Sequence, residues 1–371
     1  MKKRLSMILA ILLATVMALT LAACTDTPSP SASPSPAQDT GGGTSSSDAL
    51  FGPDDTITLA YLSYSMDIGW CVQVADAFED LASAHNLNVH IFDGGFSPET
   101  QFNQIEQAIA MGVDVIALMS VDPGSAQAIA DRIHEADILL LGETAAMRDV
   151  NGQLVVPCNW LHGLSVGRLM TQWVVDNHAR FGFDLTDFTN VGFMYITDTM
   201  FPEMADRVTG TEEVWFNNYP DFPRSQLFVG DRSAELESSN MEAGYNQTAS
   251  ILTANPQIET WFIISFQEDY ASGACRAVED LGLVDRTFLV SAGGENVIPE
   301  WDAGLTKPWY AANYFTGMDS AEIIVGAIEK VLRQGVAIED VYADMESGGK
   351  FPYATFSGVM VSFEDYKGII R

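Results

Sequence analysis

Positive charge is what this 371-residue chain lacks most. Its 18 lysines and arginines stand against 50 aspartates and glutamates, a formal net charge of −32. So acidic a surface repels phosphate backbones and anionic lipid headgroups, and no basic patch interrupts it, which excludes nucleic-acid partners. Cysteine is scarce too. Beyond Cys24 only Cys71, Cys158 and Cys275 remain, an odd number that rules out a fully paired disulfide framework. Cys71 shares a helical stripe with Val74, Ala75 and Phe78, and Cys275 shares one with Ala271, Ala274 and Val278, so both read as small buried hydrophobes. The five histidines (His85, His90, His134, His162 and His178) are scattered, and no CxxC, HExxH or other close ligand cluster occurs. Neither a metal site nor a cofactor is expected.

At the start of the chain Lys2, Lys3 and Arg4 precede an apolar run over residues 5–21, which ends in Leu21-Ala22-Ala23-Cys24. A basic leader, an apolar run and small residues before a cut make residues 1–23 a signal peptide. The ending resembles the bacterial lipoprotein box, which implies cleavage before Cys24 and a lipid on its thiol. The run is nearly long enough to span a bilayer, so an uncleaved anchor is the competing reading. Either reading makes the remainder extracytoplasmic and attached to the cell membrane. Residues 24–55 are mostly Pro, Ser, Thr, Gly and Ala, the composition of a disordered tether. Cleavage removes three basic residues and no acidic ones, leaving 15 against 50, or −35.

Hydrophobic residues make up 47% of the chain, enough for two cores of ordinary domain size. The most informative stretch is 101–123. Phe102, Ile105 and Ile109 line one helical stripe, Gly112 ends the helix, and the apolar run 113–119 reads as a strand buried on both faces. The same alternation recurs, with strands at 58–63, 88–92 and 138–141 and then at 191–196, 226–229, 261–266 and 287–291. Parallel strands with covered faces imply an α/β molecule in two similar halves, with a crevice at the strand carboxyl ends. Residues 309–315 and 353–361 each read as one further strand.

Several segments resemble the type I periplasmic sugar-binding proteins, the ribose- and arabinose-binding family, and most nearly its arabinose-binding branch. They are Gln104-Ile-Glu-Gln-Ala-Ile-Ala-Met-Gly-Val-Asp-Val-Ile, Arg207-Val-Thr-Gly210, Asn255-Pro-Gln-Ile-Glu-Thr-Trp-Phe-Ile-Ile264, and 273–277 with Arg276. The likeness runs over roughly 57–371. It implies two Rossmann-like lobes with parallel sheets, joined by three hinge crossovers near 157–162, 309–314 and 346–351. The N-terminal lobe would then be 56–160 with 313–347, and the C-terminal lobe 161–312 with 348–371. The implied function is that of a monomeric, non-enzymatic solute-binding protein of an ABC importer. It would capture a monosaccharide or similar polyol and deliver it to the permease's transmembrane subunits. A ligand-sensing subunit for a histidine kinase or chemoreceptor is the alternative.

A neutral sugar offers hydroxyls in a plane and an apolar face, so its site needs charged or amide side chains and an aromatic platform. Trp70 matches in position a family aromatic that packs on the sugar ring; interlobe packing is its other reading. Arg207 matches the ligand-binding arginine before Thr-Gly, against a surface ion pair. Glu143 stands where the family carries an acidic sugar ligand, against a solvated loop carboxylate. Trp160, at the first crossover, either lines the sugar or packs the hinge. Gln267 and Asn296 replace the usual asparagine and aspartate, and Tyr64 replaces a charged residue of the arabinose branch. Ile68 and Gly293 also depart from that branch. Gly163-Leu-Ser165-Val-Gly167 fits the G-x-S-x-G elbow of hydrolases. The only later histidine, His178, is thirteen residues along what reads as the same helix, too far for a triad.

Overall fold

Alternate residues of the first strand, β1 (Ile57–Ser63), divide the interior of the first lobe. Residues 49–199, 201–235 and 238–370 are described by the computed structural model. Ile57, Leu59 and Tyr61 pack with α1 (Gly69–Ala82) and α9 (Gly317–Ile328). Ala60 and Leu62 face the other way, onto α2 (Pro98–Met111) and α3 (Ala126–His134). This is the period-two alternation of a strand covered on both faces. Around β1 stand β2 (Leu87–Asp93), β3 (Val115–Leu118), β4 (Leu139–Gly142), β5 (Cys158–Leu161), β11 (Asp344–Met345) and β12 (Pro352–Phe356), in the order β11-β12-β5-β4-β3-β1-β2. All pair in parallel except β11 with β12.

The second lobe repeats the scheme. Its strands are β6 (Val191–Thr197), β7 (Leu227–Asp231), β8 (Thr260–Ser265), β9 (Thr287–Ala292), β10 (Trp309–Tyr314) and β13 (Val359–Ser362), in the order β13-β10-β9-β8-β6-β7. Phe193, Phe262 and Phe288 pack against α4 (Gly163–Asn177) and α5 (Pro202–Asn218). Met194, Ile263 and Leu289 pack against α6 (Asn240–Ala254) and α7 (Glu268–Asp280). The short helices α8 (Ile298–Asp302) and α10 (Tyr366–Ile369) add Trp301 and Tyr366 to that face.

The stretch that read most clearly folds as expected. Ser97 caps α2 by accepting from Thr100 N at 3.1 Å, and Gly112 closes it in the left-handed conformation at φ 70°. The buried amide of Gln101 then ties the helix start to two strand ends. It donates to Ser63 O (3.1 Å) and Met119 O (2.9 Å) and accepts from Val121 N (2.8 Å). These bonds fix the loops that rim the first lobe.

Two expectations are corrected. Residues 353–361 are not one strand: β12 extends the first sheet beside β5, while β13 runs antiparallel to β10 in the second. The third passage between lobes therefore lies between Phe356 and Val359, not at 346–351, and 352–356 belong to the first lobe. Gly358 makes the break, with φ 70° and no room for a side chain, since a Cβ there would meet Tyr314 O at 2.6 Å. The other two passages also fall slightly later than the expected boundaries. β5 runs to Leu161 before α4 begins, and β10 stays in the second sheet through Tyr314, ahead of the Thr316–Asp319 capping box of α9.

Residues 49–55, which composition assigned to the tether, are described, and several of them are held to the first lobe. Leu50 N and Phe51 N both donate to Leu332 O, at 3.0 and 3.1 Å, and Arg333 donates to Gly52 O and to Asp55 O. Phe51 packs on the core between β1 and α9, an apolar anchor that the averaged composition of 24–55 concealed. The leader, Cys24 and the tether up to residue 48 lie outside the described residues. Among the described residues no helix is long and apolar enough to cross a membrane.

Candidate functional site

In both sheets the parallel strands deliver their carboxyl ends, and the loops that follow, to the same side, where ligands of open α/β sheets bind. In the first lobe Asp93, at the end of β2, ties the loop after β1 to its own by accepting from Met66 N (3.0 Å) and Gly95 N (2.9 Å). Tyr64 in that loop packs edge-on against Phe96 of its own lobe and against Phe201 of the second, with centroids 5.2 and 5.6 Å apart. Here the two lobes meet. Trp70, the second residue of α1, stacks on Phe356 (5.9 Å, 16°) and meets Phe315 edge-on at 5.5 Å. Those two phenylalanines stand at the second and third passages, so the indole is built into the hinge, as its interlobe-packing reading expected.

The indole's Nε1 donates to Thr144 Oγ1 at 2.8 Å. Thr144 is held at φ 55°, where a β-branched residue costs on the order of 1–3 kcal/mol. Its N–H donates to Asn159 Oδ1 (3.0 Å) and its hydroxyl to Glu143. Glu143 is fully buried and turned inward. Ser320 Oγ donates to Oε1 at 2.7 Å, and Tyr61 OH lies 3.4 Å from Oε2. Burial pushes its carboxyl up to about 7, with the bonds from Thr144, Ser320 and Tyr61 opposing that rise. Glu143 thus contacts Trp70's partner rather than the crevice.

The second lobe gathers Arg207, Gln267 and Asn296 around the ends of β8 and β9. Arg207 donates through Nη1 to Phe266 O, directly before Gln267. Glycine brings it there: a Cβ on Gly167 would lie 2.1 Å from Arg207 O, and one on Gly210 would lie 2.3 Å from Leu164 O, so α4 and α5 touch backbone to backbone. The second glycine of the G-x-S-x-G motif therefore serves helix packing. Ser165 donates its backbone N–H to His162 Nδ1 (3.2 Å), while His178 faces Phe183 O and Tyr219 OH. Asn296 donates Nδ2 to Asp269 Oδ1 (2.9 Å) and its N–H to Glu268 Oε2 (3.1 Å). Gln267 Oε1 is buried without a hydrogen-bond donor.

Glu268 is the residue that pattern reading missed here. Burial pushes it up to about 7, the Asn296 N–H opposes, and the carboxylates of Asp269 and Glu295 add to the rise. Glu295 is itself raised by burial and by Asp76 of α1, a carboxylate from the opposite lobe. Trp160 is not brought to the others. It stacks on Tyr353 (4.6 Å, 22°) with Arg148 over its ring, which is the packing alternative. Thr144, Phe315 and Phe356 also escaped sequence reading. An aromatic beside each of two passages was the available signal for the phenylalanines, and nothing marked the threonine.

Comparison with known proteins agrees with this architecture. A family model described as a periplasmic binding protein domain matches residues 59–304. The ABC transporter L-arabinose-binding periplasmic protein of Azospirillum brasilense is 21% identical over 230 residues, 62% of this chain and 66% of that protein, just under two thirds of its length. Among solved structures, a Caulobacter myo-inositol binding protein matches 86% of this chain and 97% of its own, with TM-score 0.66 and 17% identity. A solute-binding protein from Actinobacillus succinogenes 130z with bound D-allose matches 84% of this chain and 100% of its own, with TM-score 0.66 and 19% identity. The arabinose transporter component from Shewanella sp. ANA-3 matches 84% and 94%, with TM-score 0.65 and 17% identity. At these identities the structural likeness speaks to the fold.

Proposed function

The chain belongs to the periplasmic binding protein family, and on that premise we propose that it is the extracytoplasmic solute-binding protein of an ABC importer, capturing a monosaccharide or similar polyol between its lobes. The observation that carries this reading is the division of labour across the crevice. The first lobe brings aromatic faces, Trp70 and Tyr64, and the second brings the Arg207 fork with the Gln267 and Asn296 amides. An apolar sugar face and an array of hydroxyls call for those two chemistries on opposite sides. Ligand that touches both lobes favours the state in which they meet, and the closed body is what a permease would receive. No step of this work forms or breaks a covalent bond. The mature chain would begin at a lipidated Cys24 and act as a monomer.

The test begins with a thermal-shift screen of pentoses, hexoses, polyols and nucleosides, since a ligand confined to the native state raises apparent stability. With a hit in hand, Arg207→Ala should weaken binding by roughly tenfold to a hundredfold, the worth of hydrogen bonds to a charged group. Arg207→Lys should recover little, because one ammonium cannot span two coplanar oxygens. Calorimetry that finds full affinity in the alanine variant removes Arg207 from the site. For attachment, Cys24→Ser should release the protein from the membrane fraction or stall its processing.

A further inference from the structure

Hydrogen bonds around Thr144 run in one direction. The Trp70 indole N–H is donated to Thr144 Oγ1 at 2.8 Å, and the Thr144 hydroxyl passes its own hydrogen to Glu143 Oε1. The same oxygen takes the hydroxyl hydrogen of Ser320 (2.7 Å), and Ser320 Oγ accepts from Asn159 Nδ2 (2.8 Å). Thr144 N donates to Asn159 Oδ1 (3.0 Å) and closes the ring. An ionised carboxylate only accepts, so it compels Thr144 to donate inward and to keep a lone pair for the indole. A protonated carboxyl slackens that demand: with its hydrogen on Oε2, toward Tyr61 OH, Oε1 is a neutral and weaker acceptor, and with its hydrogen on Oε1 it donates to Thr144, whose own O–H then has nowhere to go.

We propose that Glu143 is a positioning residue: by ionising, it sets the Thr144 hydroxyl and so fixes the Trp70 indole against Phe315 and Phe356 as the platform of the crevice. The ligand side of this inference rests on the reading that Trp70 faces a sugar. The fit between Glu143 and its surroundings does not. Groups around the carboxyl come from each element packed against it: Tyr61 of β1, Thr144 beside it, Ser320 of α9, and Cys71 of α1, whose thiol is held up by burial first and by Glu143 in addition. Tyr61 is pushed well above its usual range and Cys71 up to about 11, so both stay neutral while Glu143 titrates. With burial placing that titration near neutrality, the platform is set above it and loosened below it.

The experiment is an NMR titration of the 15N-labelled mature chain without sugar, with the Trp70 indole signal assigned through Trp70→Phe. The expected result is a sigmoidal movement of that signal with its midpoint at about 7. Glu143→Gln should leave it flat, since the amide oxygen can still accept from Thr144 and Ser320 at every pH. Ser320→Ala keeps the carboxyl but removes one stabilising donor, so the midpoint should move up; this variant decides the matter if the glutamine form does not fold. A Trp70 signal that is flat in the wild type, or that titrates alike in wild type and Glu143→Gln, overturns the proposal. A parallel calorimetric series uses L-arabinose, D-ribose, D-allose and myo-inositol. Affinity should rise about tenfold through neutrality, the worth of one well-placed aromatic contact. Should the indole titrate while affinity for every sugar that binds stays constant, Glu143 keeps its role and Trp70 loses its place as the sugar platform.

Discussion

Glu143 and Glu268 occupy comparable places in the two lobes, each just past the carboxyl end of a central strand, and burial pushes both up to about 7. Their neighbours differ in kind. Glu143 faces the hydroxyls of Tyr61, Thr144 and Ser320, all of which can turn to suit it. Glu268 accepts a fixed backbone N–H from Asn296 and stands beside Asp269 and Glu295, which resist its charge. Desolvation alone therefore does not tell what an acidic side chain is for; the partners do. In the first lobe ionisation organises a network, whereas in the second it adds one more negative charge to a wall that already extends, through Glu295, to Asp76 across the crevice.

The largest expected effect concerns what the pair have in common. Both folded values lie above the ordinary 4.5, so between that pH and about 7 the folded chain holds protons that the unfolded chain has released. Their contribution is full below 4.5 and is lost as pH rises through about 7, at about 3 kcal/mol for each carboxyl. Denaturant titrations across this window should show stability falling with pH. A rise would contradict the burial of both groups. Asp149, Asp184 and Asp187, which backbone or threonine donors hold below the usual carboxylate range, act with opposite sign in more acidic solution.

Separating the two carboxylates gives a smaller effect. Glu268→Gln should stabilise the protein by about 2–3 kcal/mol at slightly alkaline pH and by almost nothing at pH 4.5, while leaving the Trp70 indole titration intact. An indole that stops responding in this variant would merge the two sites into one. Smallest is the response to salt. Raising ionic strength from about 0.05 M to about 0.5 M should lower the Glu268 midpoint by a few tenths of a pH unit, because screening weakens Asp269 and Glu295. Glu143, surrounded by neutral groups, should hold its midpoint; equal shifts at both sites would erase the distinction.

Much of the scaffold could be read from local pattern. Ile105, Gly112 and the apolar run after it gave a helix, its left-handed stop and a doubly covered strand, because periodicity and capping are written into neighbouring residues. The resemblance to periplasmic sugar-binding proteins is borne out by the family to which the chain belongs. What could not be read depends on distant chain. Residues 353–361 have uniform strand character, and only the competition of two sheets for them, settled at Gly358, divides β12 from β13. Glu143 read as an acidic sugar ligand or a solvated loop carboxylate, and neither reading contained its burial, since the groups that enclose it, Tyr61 and Ser320, are respectively 82 and 177 residues away in sequence. Thr144 carries no signal at all: its meaning lies in a backbone angle and an indole from α1.

Arg333 reaches the carbonyl oxygens of Gly52, Asp55 and His85, and Leu332 takes the two amides before them. In mechanical terms this is a cleat. A pull arriving along the chain from residue 49 is transferred to the C-terminal end of α9 and to β1, the same body that holds Trp70. The second lobe is joined to that body through the three passages and takes no part in the cleat. Of the two halves, the aromatic one is the frame that holds the start of the described chain, and the arginine-bearing one is hung from it.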